Sequence, residues 1–439
     1  MLELDGRTLT FEQFRECCLK RNFPAIIRQA VRNCEEDESK EKMFFSSLEE
    51  MKKRLVPEGL IKTFGPDHLV PTVETITDVS LEDNSSDLCM EFGQKTLNEV
   101  MECWRNKEKI LYLKDWHMQS DVESLSNQKK SNEVFGNFEN SEVQGIVHAD
   151  GLYRVPDYLG DDWMDEFCRR STFDEANYSF FGDEKSDYRF AYIGPPNTWT
   201  PLHFDVFGTY SWSLNVSGEK LWFFPSPEGN EHLLESGLYG LALAPDIRIT
   251  TGAEIWTVHQ YPGDLVFVPS GYLHQVHNIN GPRFPLHGRK SIQTENVMNG
   301  TEPSALNNNN NDNNDDDDDS VPLIISINHN WCNEWCIEKM VDAFCRDANR
   351  IQYLLTEEDR LALFGDDIVA WHKHVERMLI CGTNWNFASI RSFLKYRLNH
   401  LKNDHSLVNG GEISVQHLLE KCLDKIDALE LRVIHRKTS

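Results

Sequence analysis

Long apolar runs are missing from the sequence: none reaches the ~18 residues that a bilayer-spanning helix needs, so no membrane span is expected. The opening stretch MLELDGRTLTFEQF carries no apolar block of the kind that heads a secretory leader, and none is expected. No two of the 11 cysteines stand as C-x-x-C, and Cys332 and Cys336, four apart, miss the usual zinc spacing. Both read as buried or incidental. An odd number of thiols, scattered from Cys17 to Cys422 without a leader, implies a reducing compartment. The cytoplasm is the expected location, with the nucleus as the alternative. Positive charge is scarce too: 44 Lys and Arg stand against 71 acidic residues, a formal net charge of −27. So acidic a chain excludes tight, non-specific binding to a phosphate backbone. No direct nucleic-acid partner is expected, and a basic protein or peptide suits it better.

Apolar side chains make up 40% of the sequence and aromatic ones 11%, which supports a globular protein with a substantial core. The 439 residues leave room for one large domain or roughly two to three ordinary ones. Residues 1–108 read as mostly helical. TFEQFRECCLKR starts at a Thr cap with Phe11, Phe14 and Cys18 at helical spacing, and Cys17 and Cys18 read as helix-face residues. NFPAIIR is a short strand and TLNEVMECWRNKEK a second capped helix. Strand signals fill 109–335: KILYLKDW, YRFAYIG, YSWSLNV, KLWFFP, AEIWTVHQ, DLVFVPSG, HQVHNI and LIISINHNW. Each is aromatic or β-branched and bounded by turn formers. The expected class is mainly β with helical flanks, a sandwich or barrel. No internal repeat is evident.

Residues 281–320 interrupt this region with ALNNNNNDNNDDDDDSVP, an Asn/Asp-rich insertion in a hairpin loop. It cannot bury enough apolar area to offset its chain entropy and is expected to be disordered. The fold tolerates it, because loop closure grows costlier only with the logarithm of length. Residues 336–439 return to helices. In the last, ISVQHLLEKCLDKIDALELRVI, the residues Leu418, Leu419, Cys422, Leu423, Ile426, Leu429 and Val433 form one apolar face. Packing on the body is the first reading of that face, a homodimer the second.

The chemistry concentrates in TPLHFDVFGTYSWSLNVSGEKLW. Side chains at i and i+2 of a strand share a face, so His203 and Asp205 project together. A later strand, PSGYLHQVHN, offers His274 and His277, three apart and therefore on opposite sides; spacing alone leaves both open. Two His and one carboxylate with free positions make the facial triad of non-haem Fe(II) oxygenases. Lys220 follows in an aromatic setting, where a lysine without a partner is costly and a co-substrate carboxylate would supply one. Thr200 could add a hydroxyl. Ser211, Ser213 and Asn215 share parity on the strand before Lys220, Asn215 being a candidate contact. Trp212, Trp222 and Trp331 are candidate pocket walls, with core packing favoured for the first two. His329 should face away from the site by alternation. His372 and His374 of WHKH, two apart on a helix, diverge and are not expected to hold a metal.

His203-Phe-Asp205, Lys220, and Pro269 followed five residues later by His274 resemble the jumonji-C class of 2-oxoglutarate oxygenases. The resemblance extends over most of the chain, through LYLKDWH, DYRFAYIGPPNTWTPLH, SWSLNVSGEKLWFFP, VFVPSGYLHQVHN and SINHNW, with FPAII and CGTNWNFASIRSFLK at the flanks. It implies a double-stranded β-helix core (jelly-roll, cupin-like) between N- and C-terminal helical regions. It implies Fe(II) on His203, Asp205 and His274, the P-x-x-x-x-H pattern selecting His274 over His277. It implies 2-oxoglutarate on Lys220, Tyr112 and Thr200, with Asn328 and Asn330 at inward positions of the last barrel strand. O₂ is then the oxidant and ascorbate the supporting reductant. For the substrate it implies C4 hydroxylation of a lysine in the eukaryotic class 1 translation release factor. An N-methyl-lysine demethylase and a non-catalytic cupin-like scaffold are the alternatives. The Asn/Asp insertion departs from the family's tight loop but lies outside all the ligand positions.

Overall fold

The computed structural model describes residues 1–31, 48–75, 90–107, 109–133, 153, 155–169, 187–235, 246–249, 253–286, 319–354, 357–383, 385–403 and 415–435. The strands in them are β1 (Leu2–Asp5), β2 (Ala25–Arg28), β3 (Leu69–Thr75), β4 (Met90–Thr96), β5 (Leu111–Trp116), β6 (Arg189–Gly194), β7 (Trp199–His203), β8 (Tyr210–Ser217), β9 (Glu219–Pro225), β10 (Ile255–Gln260), β11 (Leu265–Val268), β12 (His274–Asn280), β13 (Arg283–Pro285), β14 (Ser320–Pro322) and β15 (Ile324–Trp331). One sheet runs β1-β2-β11-β8-β15-β6-β5-β3-β4 and a second β10-β9-β12-β7; β13 and β14 pair by themselves. The centre of the large sheet, β11-β8-β15-β6, faces the small one. Together these eight strands form the jelly-roll, cupin-like core.

The alternation in β8 shows how this barrel is organised. All eight of its residues are buried, so both faces are covered. Tyr210, Trp212, Leu214 and Val216 join the main apolar core outside the barrel. Ser211, Ser213, Asn215 and Ser217 take the other face, toward the small sheet. β15 follows the same rule: Ile325, Ile327 and Trp331 go to the outer core, while Ser326 and Asn328 meet Ser213 and Lys220 inside. A second, smaller apolar cluster of Ile26, Trp222, Phe224, Val266, Val268, Tyr272 and Val276 fills part of the interior. The outer core is capped by the helices Ile337–Leu354, Ile368–Thr383, Phe387–Asn403 and Val415–His435.

The eight strands expected between 109 and 335 all form. In the first 108 residues the described helices alternate with β1, β2, β3 and β4, which extend both ends of the large sheet. Of these only β2 was legible. Pro71 interrupts β3, and β4 is a largely exposed edge strand without apolar alternation, so neither gives a strand signal. The expected Thr caps at Thr10 and Thr96 are both present, each with the reciprocal bond of a capping box. The insertion is narrower than expected: Arg283–Pro285 and Ser320–Pro322 are paired strands, and 287–318, which hold the Asn/Asp run, lie outside the described residues. In the C-terminal helix Leu419, Cys422, Ile426, Leu429 and Val433 are buried within the chain itself. These residues pack on the body of the protein, the first of the two readings of that face. Cys332 and Cys336 are buried in the core. Among the described residues no helix is long and apolar enough to cross a membrane.

Candidate active site

β7 and β12 are antiparallel neighbours, and their register sets His203 opposite His274, with ring centroids 4.1 Å apart. β7 ends at His203. Asp205 lies just beyond it, but its backbone is still extended (φ −66°, ψ 149°), so the i, i+2 relation holds. A tight turn follows, with Phe207 at φ 58° and Gly208 at φ 55°, and carries the chain into β8. Phe207 anchors that turn against Phe344 and Trp385 of the helical layer. The ligand atoms of His203, Asp205 and His274 all fall within 4.8 Å of one another.

Each imidazole is fixed by its own strand. His203 Nδ1 lies 2.8 Å from the Pro201 carbonyl and His274 Nδ1 3.1 Å from that of Tyr272. A carbonyl can only accept, so Nδ1 carries the proton and Nε2 keeps its lone pair. Ser211 Oγ donates to Asp205 Oδ2 at 2.5 Å, steadying the carboxylate. Burial and the neighbouring His274 push His203 down to about 3, so its imidazole is neutral near neutral pH. Two imidazoles and one carboxylate, oriented by outer partners, are a donor set that fits a divalent transition metal. His277 lies on the opposite face, stacked on Trp199 at 4.9 Å, outside this cluster.

Lys220 lies inside the barrel at 2% exposure. Its ammonium donates to Ser326 Oγ at 2.5 Å and sits 5.7 Å from the centre of the Tyr192 ring. Among the described residues no carboxylate pairs with it, and burial pushes it down to about 7. Such a cation suits a carboxylate ligand. Tyr112 is buried, with Asn278 and Thr200 as hydrogen-bond partners of its hydroxyl; burial raises its phenol. Gly194 makes room for it, since a Cβ there would lie 2.7 Å from Tyr112 Cδ2 and 2.9 Å from Thr198 Oγ1. Tyr112 and Thr200 meet at the tyrosine hydroxyl, and Asn278, its other partner, is paired in register with Lys220.

The remaining candidates separate. Asn328 Oδ1 accepts from Ser213 at 2.8 Å, midway along the inner face. Asn330 is further toward the triad, paired in register with Ser211 and bonded to Thr209. Asn215 donates to the Gly218 carbonyl at 2.6 Å, so its amide nitrogen holds the β8–β9 turn. Trp222 does wall the site, stacked 5.8 Å from His274 and joined there by Phe224 at 6.0 Å. Trp212 and Trp331 belong to the outer core, so Trp331 is no pocket wall: its parity follows Ile325 and Ile327. His329 faces away from the barrel interior and bonds Asp162 at 2.8 Å. His372 and His374 diverge as expected, but His372 meets Glu376 and Glu430 from two helices. Sequence reasoning missed Ser326 and Asn278, although each shares parity with a recognised residue, Asn328 and His274. It also missed Tyr192 and Asp115.

Residues 190–281 match the family model described as "JmjC domain, hydroxylase". The chain is 29% identical over 300 residues to the mouse protein named "2-oxoglutarate and iron-dependent oxygenase JMJD4", across 65% of this chain and 50% of that one. The human protein of the same name is 26% identical over 297 residues, with the same two coverages of 65% and 50%. "Arginine-specific demethylase JMJ20" of Arabidopsis thaliana is 32% identical over 203 residues, across 42% of this chain and 38% of that one. The chain spans about half the length of the JMJD4 proteins it matches.

Proposed function

We propose that this chain, which carries a JmjC domain, is an Fe(II)- and 2-oxoglutarate-dependent oxygenase, and that it hydroxylates a protein lysine at C4. The observation that carries the reading is the pairing, in one barrel, of a two-His, one-carboxylate face with a buried lysine that has no carboxylate partner among the described residues. The matched domain and the names of the JMJD4 relatives support the cofactors. The translation release factor is the substrate proposed, on the resemblance of the sequence motifs.

His203, Asp205 and His274 would hold the metal on one side and leave the other open. Bound iron would supply the activation of O₂ that couples oxidative decarboxylation of 2-oxoglutarate to hydroxylation. The chain supplies position and charge. The bond that each Nδ1 makes fixes its ring and leaves Nε2 as the atom free to bind a metal, and Ser211 holds Asp205 in place. Lys220, Tyr112 and Thr200 would take the distal carboxylate of the co-substrate. Burial strengthens that contact, because charge is poorly screened there. Trp222 and Phe224 cover His274 and exclude water from its side of the site.

The test is intact-mass and peptide analysis of release factor incubated with the protein, Fe(II), ascorbate and 2-oxoglutarate, with a His203→Ala control. The mass of one oxygen on a single lysine peptide, absent in the control, is expected. No gain, with 2-oxoglutarate still bound, would discard the substrate and keep the oxygenase. The name of the Arabidopsis relative favours demethylation as the second reading. Formaldehyde release from an N-methylated substrate would reveal it.

A further inference from the structure

We propose that Asp115, presented by a bulge in β5 at the mouth of the barrel, anchors the positively charged end of the substrate side chain, and that Lys114 occupies that anchor when no substrate is present. The inference rests on the hydroxylase reading above and gives its site a substrate class, a cationic side chain.

Strand alternation alone would not put Asp115 there. Tyr112 and Lys114 share one face of β5, while Leu111 and Leu113 point into the outer apolar core. On a regular strand Asp115 would follow Leu113 into that core, at the expense of an unpaired buried charge. Instead the ladder slips: Leu113 pairs with Ile193 and Trp116 with Ala191, so β5 carries one residue more than β6. Asp115 absorbs the slip with a left-handed backbone, φ 58°. Such a conformation is strained for a residue other than glycine and persists only where its surroundings hold it.

The surroundings here are the barrel mouth. Tyr192 is the β6 residue left inside the bulge, and its hydroxyl donates to Asp115 Oδ1 at 2.6 Å. Lys114 Nζ donates to Oδ2 at 2.6 Å and lies 5.9 Å from the centre of the Tyr192 ring. Lys220 Nζ lies 5.7 Å from the same ring. Tyr192 thus meets two ammonium groups: one at the proposed co-substrate position, the other at the mouth. Lys114 acts electrostatically on His203, and His203 on Asp115. The Asp115 side chain is 47% exposed, that of Lys114 15%, so the carboxylate is open to an incoming group. A lysine ammonium held by a carboxylate and an aromatic face beside the triad is already present, built from the chain itself. A substrate lysine seated there would keep its ammonium two methylenes beyond C4, with the reacting carbon free to lie toward His203, Asp205 and His274.

The experiment uses the full chain with 2-oxoglutarate and Mn(II), which binds without supporting turnover. Four short peptides, identical save for a central lysine, arginine, norleucine or N-acetyl-lysine, are titrated by calorimetry. The wild type should bind the lysine peptide about tenfold or more above the norleucine and acetyl-lysine peptides, the loss expected for one charged hydrogen bond. Asp115→Asn should erase that preference and leave 2-oxoglutarate affinity within about twofold, since asparagine tolerates the left-handed backbone and keeps the bulge. Lys114→Met should bind the lysine peptide more tightly than the wild type. A lysine preference that survives in Asp115→Asn, or a wild type that has none, overturns the proposal. Preference for arginine, lost in the variant, keeps the anchor and overturns lysine as its ligand. Lysine preference with no hydroxylation of release factor keeps the anchor and discards that substrate.

Discussion

The barrel and the helical layer each gather histidine and carboxylates into one cluster. Among the described residues, His203–Asp205–His274 and His372–Glu376–Glu430 both hold their ligand atoms within 4.8 Å. Their surroundings differ. In the barrel each imidazole is pinned through Nδ1, and Asp205 accepts a neutral hydroxyl from Ser211. The lone pairs and the negative charge are left unspent. In the helical layer Arg391 bonds Glu430 and also Asp427, the latter at 2.8 Å, and the Phe387 amide donates to Glu376 at 3.3 Å. Hydrogen bonding to Glu430 raises His372, whereas burial drives His203 down to about 3. The helical cluster neutralises itself with protein cations; the barrel cluster does not. Closeness of donors is thus not enough to mark a metal site. Free lone pairs and uncompensated charge are also required.

The contrast breaks most directly at the metal. His274→Ala should lower Mn(II) affinity by more than ~100-fold, since even outer-shell changes cost 10–100-fold. His277→Ala and His372→Ala should leave it unchanged, and calorimetry that found a loss in either would end the distinction. Next is the buried lysine. Lys220→Met should weaken 2-oxoglutarate binding by roughly 10- to 150-fold, the range for hydrogen bonds to charged groups. The wild type should lose affinity as pH rises above about 7, because the unliganded lysine then sheds the proton that binding must restore. Its lowered value has a second consequence. Between about 7 and 10.5 the unfolded chain holds a proton that the folded protein lacks, so unliganded stability should rise with pH there. Dissociation constants flat across that range would refute the role given to Lys220.

Smaller effects sharpen the picture. Ser211→Ala should cost roughly 10–100-fold in metal affinity while 2-oxoglutarate contacts stay intact. Arg391→Met should destabilise the protein by about 1–3 kcal/mol, read from urea midpoints, with no change in bound metal. The raised value of His372 means that its contribution is full below 6.5 and is lost as pH rises through the folded value. His372→Gln should therefore cost stability on the acid side of neutrality and little on the alkaline side. An equal cost on both sides would remove the charge from that account.

Much of the barrel was legible because strands with two buried faces still alternate in chemistry. Serines and asparagines in β8 and β15 mark the inner face, and aromatic and aliphatic residues the outer one. The His203, Asp205, Lys220 set lies within 18 consecutive residues, so local spacing almost suffices. β3 and β4 were illegible for the opposite reason: a proline and an exposed edge remove the pattern that would announce them. Asp115 was hidden because periodicity assigns it the wrong face. Only the slip against β6 turns it toward Tyr192.

By itself the sequence determined which residue types are available and, through the two-residue period of extended chain, which of them could share a face. That was enough to pair His203 with Asp205, and to require that His274 and His277 part company. It could not choose between those two histidines by spacing. The antiparallel register of β7 on β12 made that choice, by seating His274 across from His203. Nor could it separate a lysine awaiting an anion from one already paired, or a cluster with open lone pairs from one closed by Arg391. Those depend on which strands and helices meet, and long-range pairing is where local periodicity carries no information.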